Sequence, residues 1–239
     1  MSELKNNITL VYAYYENGLM LDRHMLEWAA YPDDCKPNLK AIIVDDGSPK
    51  DPAIKHIKPV GFSVELFRIK QDIPWNQNGA RNLAMTHASG WCLLTDMDHL
   101  LPINMVDKLL NMELKSGVYY IPSRIRAFDG LPYHRHPNSY VMNRELYWKV
   151  GGYDEAYAGY YGTDATFRNQ LAAKGGGRCE LDDFYLILYG REVIPDASTT
   201  AYGRKGSEYY IPNNIALKIR KKLNPPPIPP LNFDWERVI

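Results

Sequence analysis

The chain has 239 residues, 28 Lys plus Arg against 28 Asp plus Glu, and an apolar fraction of 45%. That length supplies one large domain or two small ones with ample core, and the balanced charge excludes a whole-molecule field that would recruit nucleic acid or an acidic membrane. Cys35, Cys92 and Cys179 are odd in number and widely separated, so they read as reduced thiols rather than a disulfide framework or a zinc cluster.

Residues 8–14 form an apolar strand, and residues 18–30 follow at helical spacing with Leu19, Leu26 and Trp28 among the apolar positions. A second strand, 39–44, runs into Asp45-Asp46-Gly47-Ser48-Pro49, a turn by its Gly and Pro. A short helix from Asp51, a strand over 62–68 and a helix over 79–88 lead to the apolar run from Trp91 that ends at Asp96. Pro102 opens another helix to about Leu114, and 117–121 is a strand. Beyond it, Asp129-Gly130 predicts a hairpin turn, 139–142 a strand and 144–150 a short helix. Asp164 opens a helix to about Ala173, stopped by Gly175-Gly176-Gly177, and 185–189 is a further strand. From Pro195 regular structure thins to a helix over 213–223 and the extended Pro-rich strap 225–230. Strands alternating with helices predict an α/β fold with a mostly parallel sheet flanked by helices. The N-terminus lacks an apolar signal core and no apolar run approaches the ~20 residues of a membrane span. The expected setting is therefore cytoplasmic, in a bacterial cell or an infected host cell.

The most informative stretch is Trp91-Cys-Leu-Leu-Thr-Asp96-Met97-Asp98. In extended backbone the side-chain period is two, so Asp96 and Asp98 point the same way and repel unless a cation lies between them. Oxygen ligands of this kind suit Mg²⁺ or Mn²⁺, which keep positions open for phosphate oxygens; the plainer alternative is a solvated loop. In parallel sheets ligands sit beyond the carboxyl ends of the strands, where Asp45, Asp46, Asp96 and Asp98 all fall.

Four pieces stand in order along the chain: Ile42-Ile-Val-Asp-Asp-Gly-Ser48, Gly79-Ala-Arg-Asn-Leu-Ala84, Asp96-Met-Asp98, and Gly151-Gly-Tyr-Asp-Glu155 with Gly162-Thr-Asp164. On these the chain resembles the family-2-type inverting glycosyltransferases of the A-type, Rossmann-like fold, and its C-terminal half resembles the galactosyltransferase-like branch. The resemblance runs from about Thr9 to Arg204 and implies one glycosyltransferase domain over 1–239. Residues 1–121 would bind the nucleotide-sugar, 122–194 would form the acceptor side, and 195–239 would be a C-terminal strap. It also implies a UDP-sugar donor, Mn²⁺ or Mg²⁺, inversion at the transferred sugar, direct metal contact by Asp98, and Asp96 touching ribose or a metal-bound water. Related branches carry a metal-binding His near the C-terminal end. This chain has no His beyond His136, which leaves Asp196 or water as a further ligand.

Each piece also has chemistry of its own. Asp45 or Asp46 can accept hydrogen bonds from a pyrimidine N–H or ribose hydroxyls, or build the turn by Asx chemistry, and both can hold with one residue each. Tyr12, Ala13, Tyr14 and Tyr15 can present backbone and an aromatic face to a base, with an aromatic core strand as the alternative for Tyr12. Arg81 can pair with the metal aspartates or the diphosphate, while Asn82 fixes a loop. Gly151 and Gly152 allow close approach of an acceptor sugar, and Trp148, Tyr153, Tyr157, Tyr160 and Tyr161 offer stacking surfaces. Asp154 and Glu155 anchor that loop, with Asp154 among the residues expected beside the acceptor. Asp164 is an N-cap, or the general base that takes the proton of the acceptor hydroxyl. The family usually carries Glu-Asp where this chain has Thr163-Asp164, so the second residue is kept. The acceptor is expected to be a saccharide. Two basic clusters, Arg124, Arg126, His134, Arg135, His136 and the C-terminal Arg204, Lys205, Lys218, Arg220, Lys221, Lys222, keep a modified base in viral DNA as an alternative. A non-catalytic nucleotide- or sugar-binding protein is the alternative of another class.

Overall fold

The computed structural model describes residues 5–159, 164–198, 215, 218 and 231–239. Strand β1 (Ile8–Tyr14), helix α1 (Gly18–Ala29), β2 (Leu39–Asp45) and β3 (Ser63–Ile69) come first. They are followed by α2 (Gln77–His87), β4 (Trp91–Asp96), β5 (His99–Leu100) and α3 (Ile103–Asn111). Then come β6 (Val118–Arg126), β7 (Pro132–Tyr133), β8 (Tyr140–Asn143), α4 (Arg144–Lys149), α5 (Asp164–Lys174), β9 (Gly177–Leu188) and β10 (Trp235–Arg237). The strands form one sheet in the order β10-β3-β2-β1-β4-β8-β6-β9-β5, with β7 on β6. The run β3-β2-β1-β4 is parallel throughout, and β6 also pairs with β9 in parallel. β8 joins the two blocks by antiparallel pairing with β4 and β6.

The apolar strands bury both faces. Ile8, Leu10, Tyr12 and Tyr14 of β1 join one core cluster with Met20, Leu21, Met25 and Trp28 of α1, whereas Val11 joins the opposite cluster with Leu83 and Ala84 of α2. β2 divides the same way, Ala41 and Ile43 against Ile42 and Val44. This three-layer arrangement is why these strands read as unbroken apolar runs instead of alternating ones. No helix among the described residues is long and apolar enough to cross a membrane.

Several expectations shift in detail. Helix α1 keeps its predicted span, but its buried stripe is Met20, Leu21, His24, Met25 and Trp28, while Leu19 and Leu26 face outward. The 20/24/28 and 21/25 spacing forms the wider stripe, and it meets β1. The predicted helix after Asp51 is a single 3₁₀ turn at Ala53–His56. β6 runs through position 121 to Arg126, and the hairpin at Asp129-Gly130 turns it back into β7. β9 starts eight residues earlier than the periodicity suggested, directly after Gly175 and Gly176. A Cβ on Gly176 would lie 1.2 Å from the Gly117 carbonyl oxygen, so the glycine permits the chain to enter the sheet there. β10, pairing antiparallel with β3, carries no clear signal in the sequence. The Pro-rich strap lies outside the described residues, and of the helix expected over 213–223 only Ile215 and Lys218 are described, both helical.

Candidate active site

A cavity of about 640 Å³ opens beyond the carboxyl ends of β1, β2 and β4. Ala13, Tyr14, Asp46, Asp96 and Asp98 line it, as the sheet topology requires. Further wall comes from the segment before α2, from Arg124 of β6 and the chain between β7 and β8, and from Ala197 and Ser198.

The two aspartates after β2 separate by task. Asp45 turns back, its oxygens accepting from Ser48 N at 2.8 Å and Ala53 N at 2.9 Å, and so closes the turn. Asp46 faces the cavity, held by Asn76 Nδ2 at 3.2 Å on one oxygen. Burial, reinforced by the charges of Asp45 and Asp72, pushes the Asp46 carboxyl well above the usual carboxylate range. Tyr12 does not reach the cavity, because its ring packs in the core 4.6 Å from His24 and 5.8 Å from Trp28. Tyr15 lines that wall beside Tyr14 and Trp75, and its hydroxyl donates to Asp72 Oδ1 at 3.1 Å.

Asp96 and Asp98 both reach the cavity, and each is gripped differently. Asp96 Oδ1 accepts from Arg81 NH2 and from Gln77 Nε2 at 3.0 Å, and Oδ2 lies 3.3 Å from His136 Nε2. Asp98 Oδ1 meets His99 Nδ1 at 2.6 Å, while Oδ2 has no partner among the described residues. Arg124 NH1 sits 2.8 Å from the other ring nitrogen of His99. A guanidinium only donates, so His99 Nε2 accepts and its Nδ1–H points at Asp98. The rings of His99 and His136 stack with centroids 4.1 Å apart. Burial, then the cationic surroundings, holds the His136 imidazole well below its ordinary pKa, so it stays neutral at pH 7.

The donor set suits a hard divalent cation of the Mg²⁺ or Mn²⁺ kind. Among the described residues no group of three or more His, Cys, Asp or Glu side chains converges on one point. Mg²⁺-type sites commonly take only one or two carboxylates, with substrate phosphates and water completing the shell. Asp98 Oδ2 is the oxygen left open for that purpose. Asp196 is not among the residues that line the cavity. Its two oxygens accept from Leu19 N at 2.7 Å and Met20 N at 3.0 Å, capping the start of α1.

The Gly-Ala-Arg-Asn and Gly-Gly-Tyr-Asp-Glu pieces form one structural unit beneath this site. Asn82 Nδ2 donates to Tyr153 O at 2.9 Å and Glu155 Oε1 at 2.7 Å, and its Oδ1 accepts from Tyr153 N at 3.0 Å. Arg81, fully buried, lies 4.8 Å over the Tyr153 ring. Gly152 has φ +64°, and a Cβ there would come within 2.9 Å of Asn82 Oδ1. Asp154 Oδ1 caps the 3₁₀ turn Glu155–Tyr157 through Ala156 N. Glu155 also accepts from Leu231 N and Asn232 N, tying the C-terminal segment to this loop. Trp148 donates to Met85 O at 3.3 Å. Trp148, Gly151, Gly152, Tyr153 and Asp154 therefore brace the Arg81 side and do not line the cavity. Asp164 begins α5, whose Phe167 stacks on Tyr153 at 4.2 Å. Tyr160, Tyr161, Gly162 and Thr163 lie outside the described residues, as do Arg204, Lys205, Arg220, Lys221 and Lys222.

Sequence reading missed Gln77 and Asn76, which hold Asp96 and Asp46, and gave Arg124 and His136 no place in the site. Asn76-Gln77 stands immediately before the Gly79 piece, so proximity to that motif was the available signal. Arg124 and His136 had none, because a parallel pairing of β6 with the distant β9 positions the segment that carries them.

The glycosyl transferase family 2 model matches residues 23–170. A search of curated proteins finds no match. Among solved structures, GalNAc-T7 with UDP, GalNAc and Mn²⁺ superposes with TM-score 0.60 at 14% identity, over 80% of this chain and 45% of that one. Residues 1–349 of S. aureus TarS give TM-score 0.61 at 14% identity, over 80% and 62%. The mannosyltransferase PcManGT from Pyrobaculum calidifontis, in complex with GDP-Man and Mn²⁺, gives 0.56 at 15%, over 94% and 67%. The chain thus spans roughly half to two thirds of those chains, and the likeness at such identity establishes a shared A-type glycosyltransferase fold. With the matched model extending over more than half of its length, the chain belongs to glycosyl transferase family 2.

Proposed function

We propose that the protein transfers a sugar from a nucleoside diphosphate donor, UDP-sugar foremost, to an acceptor hydroxyl with inversion, assisted by Mn²⁺ or Mg²⁺. The observation that carries this reading is the open oxygen of Asp98, held at a strand end in the same cavity as Asp46. One carboxylate meets the nucleoside and the other the diphosphate side. The relatives of this fold captured with UDP and Mn²⁺ or with GDP-Man and Mn²⁺ support the same pairing of ligands. A bound divalent ion would supply positive charge to the diphosphate as it leaves. Asp46, with the backbone of Ala13 and Tyr14, receives the nucleoside; Asp96, fixed by Arg81, Gln77 and His136, orients ribose or metal-bound water.

Asp164 is the proposed general base. It opens a helix whose dipole favours the ionised carboxylate, on the element braced against Tyr153. For the acceptor we favour a saccharide over duplex DNA. Within the Arg124–His136 cluster, Arg126 pairs with Asp129 at 2.6 Å, and Arg135 pairs with Asp182 and with Glu180 at 3.0 Å. Those charges are already answered inside the protein and are not spare for phosphates.

Asp164→Asn tests the reading. Its shape is nearly unchanged, so folding and nucleotide affinity are expected to survive while turnover falls by roughly 10²–10⁴-fold. Near-normal turnover, or a product retaining the donor's anomeric configuration, would overturn the single-displacement assignment.

A further inference from the structure

Arg124 lines the same cavity as the aspartates. Its side chain rises from β6 and is 6% exposed, yet no carboxylate stands within 4.0 Å of it among the described residues. Two of its nitrogens are committed, Nε to the His134 carbonyl and NH1 to His99. The remaining nitrogen, NH2, has no partner among the described residues, and the residue lines the cavity. The guanidinium also lies 4.8 Å over the Tyr133 ring, which closes off one approach. Asp98 and Asp96 act on it only from beyond ion-pair distance. The neighbouring Arg126 and Arg135, by contrast, are both paired with carboxylates.

A guanidinium withdrawn from water without a counter-ion is costly, and it persists where an anion arrives to complete it. Its planar fork suits oxyanions, above all phosphate. The committed nitrogens leave the group no freedom to swing toward another acceptor. The nearest anionic group that a glycosyl donor would bring to this cavity is its diphosphate, beside Asp98.

We propose that Arg124 binds the diphosphate of the donor through NH2 and takes up the charge released when the nucleotide leaves. This rests on the nucleotide-sugar reading given above. In the transfer, the bond from the anomeric carbon to the outer phosphate oxygen breaks and its electron pair stays on that oxygen. The acceptor oxygen bonds to the carbon, and the acceptor proton passes to the carboxylate of Asp164. Arg124 stands ready-oriented where the negative charge grows, which is the arrangement that lowers a barrier without reorganisation. Through NH1 and His99 the same guanidinium also anchors Asp98 at Oδ1, which leaves Oδ2 without a partner among the described residues. The positive charge and the metal-facing carboxylate are thereby fixed relative to one another.

The test is calorimetric titration of the full chain with inorganic diphosphate, UDP, GDP and uridine, each with and without Mn²⁺. Arg124→Gln removes the charge but keeps an N–H donor, and Arg124→Lys keeps the charge without the fork. Without Mn²⁺, affinity for inorganic diphosphate and UDP should fall about 10- to 100-fold in Arg124→Gln and less in Arg124→Lys, the scale of a lost charge-assisted hydrogen bond. Uridine binding should not change. Should Arg124→Gln fail to fold, the wild type decides. Its Arg124 guanidinium N–H resonances, assigned by their loss in Arg124→Lys, must move on adding inorganic diphosphate and stay still with uridine. Equal diphosphate affinity in wild type and Arg124→Gln, or unmoved resonances, would overturn the role of Arg124 and leave the donor reading intact. A wild type that binds none of UDP, GDP or inorganic diphosphate would overturn the donor reading itself.

Discussion

Asp45 and Asp46 are chemically identical neighbours, and the fold gives them opposite tasks because β2 ends between them. Asp45 spends both oxygens on backbone amides of the turn, whereas Asp46 is buried at the cavity wall and held by Asn76. With its pKa raised above the unfolded value, native Asp46 holds a proton that the unfolded chain has already released. Stability therefore falls as pH rises from the ordinary carboxylate range, near 4, through the raised native value. Asp46→Asn should lessen that fall and be the more stable protein at pH 7.5, while binding UDP more weakly. Denaturant titrations at pH 4 and pH 7.5 check this, and a wild-type profile no steeper than the variant's would refute it. At Asp98 the expectation is different. Asp98→Ala should remain folded but lose the gain in UDP affinity that Mn²⁺ brings, by at least roughly the 10–100-fold cost of disturbing even a supporting partner of a metal ligand. Titration of UDP in Mn²⁺ and in EDTA measures the difference.

At the scale of elements, the working unit is α2 with the loop that follows α4. Helix α2 is buried from Asn78 to Met85, sheet on one side and loop on the other. Asn82 saturates both its amide atoms on that loop, and Arg81, one residue earlier, is thereby presented to Asp96. Gly152 combines left-handed backbone with contact against Asn82. Gly152→Ala should cost about 1–2 kcal/mol for the backbone alone. At this chain length that lowers the melting temperature by roughly 2–8 °C. A melting temperature unchanged in differential scanning calorimetry would mean that the loop is not under this constraint.

For the whole molecule, the parallel block collects the cavity-facing carboxylates at one end of the sheet. The antiparallel strand β8 then brings the β6–β8 segment against them, and a cavity results that neither block forms alone. A ligand specific to that cavity stabilises the fold by mass action, by about 2.7 kcal/mol at a hundred times its Kd. UDP should raise the melting temperature more than ADP or GDP, and more with Mn²⁺ than in EDTA. A GDP shift as large as that of UDP would move the base preference without disturbing the fold.

The sequence by itself determined the alternating α/β order, the strand ends carrying Asp45, Asp46, Asp96 and Asp98, and the helix start at Asp164. These follow from local causes: apolar runs, turn residues and the two-residue period of extended chain. It also left open which of 45 and 46 builds the turn and which faces the space beyond the strand ends. Only the tertiary structure decided which of the two was which, because the choice depends on where Ser48, Ala53 and Asn76 come to lie. It moved Tyr12 into the core, since that position alternates onto the face covered by α1. It also turned the Gly151–Asp154 segment into a brace for Arg81, and set Arg124 and His136 beside the aspartates. Those placements come from pairings between strands far apart in the chain, β4 with β8 and β6 with β9, which no local pattern of residues encodes.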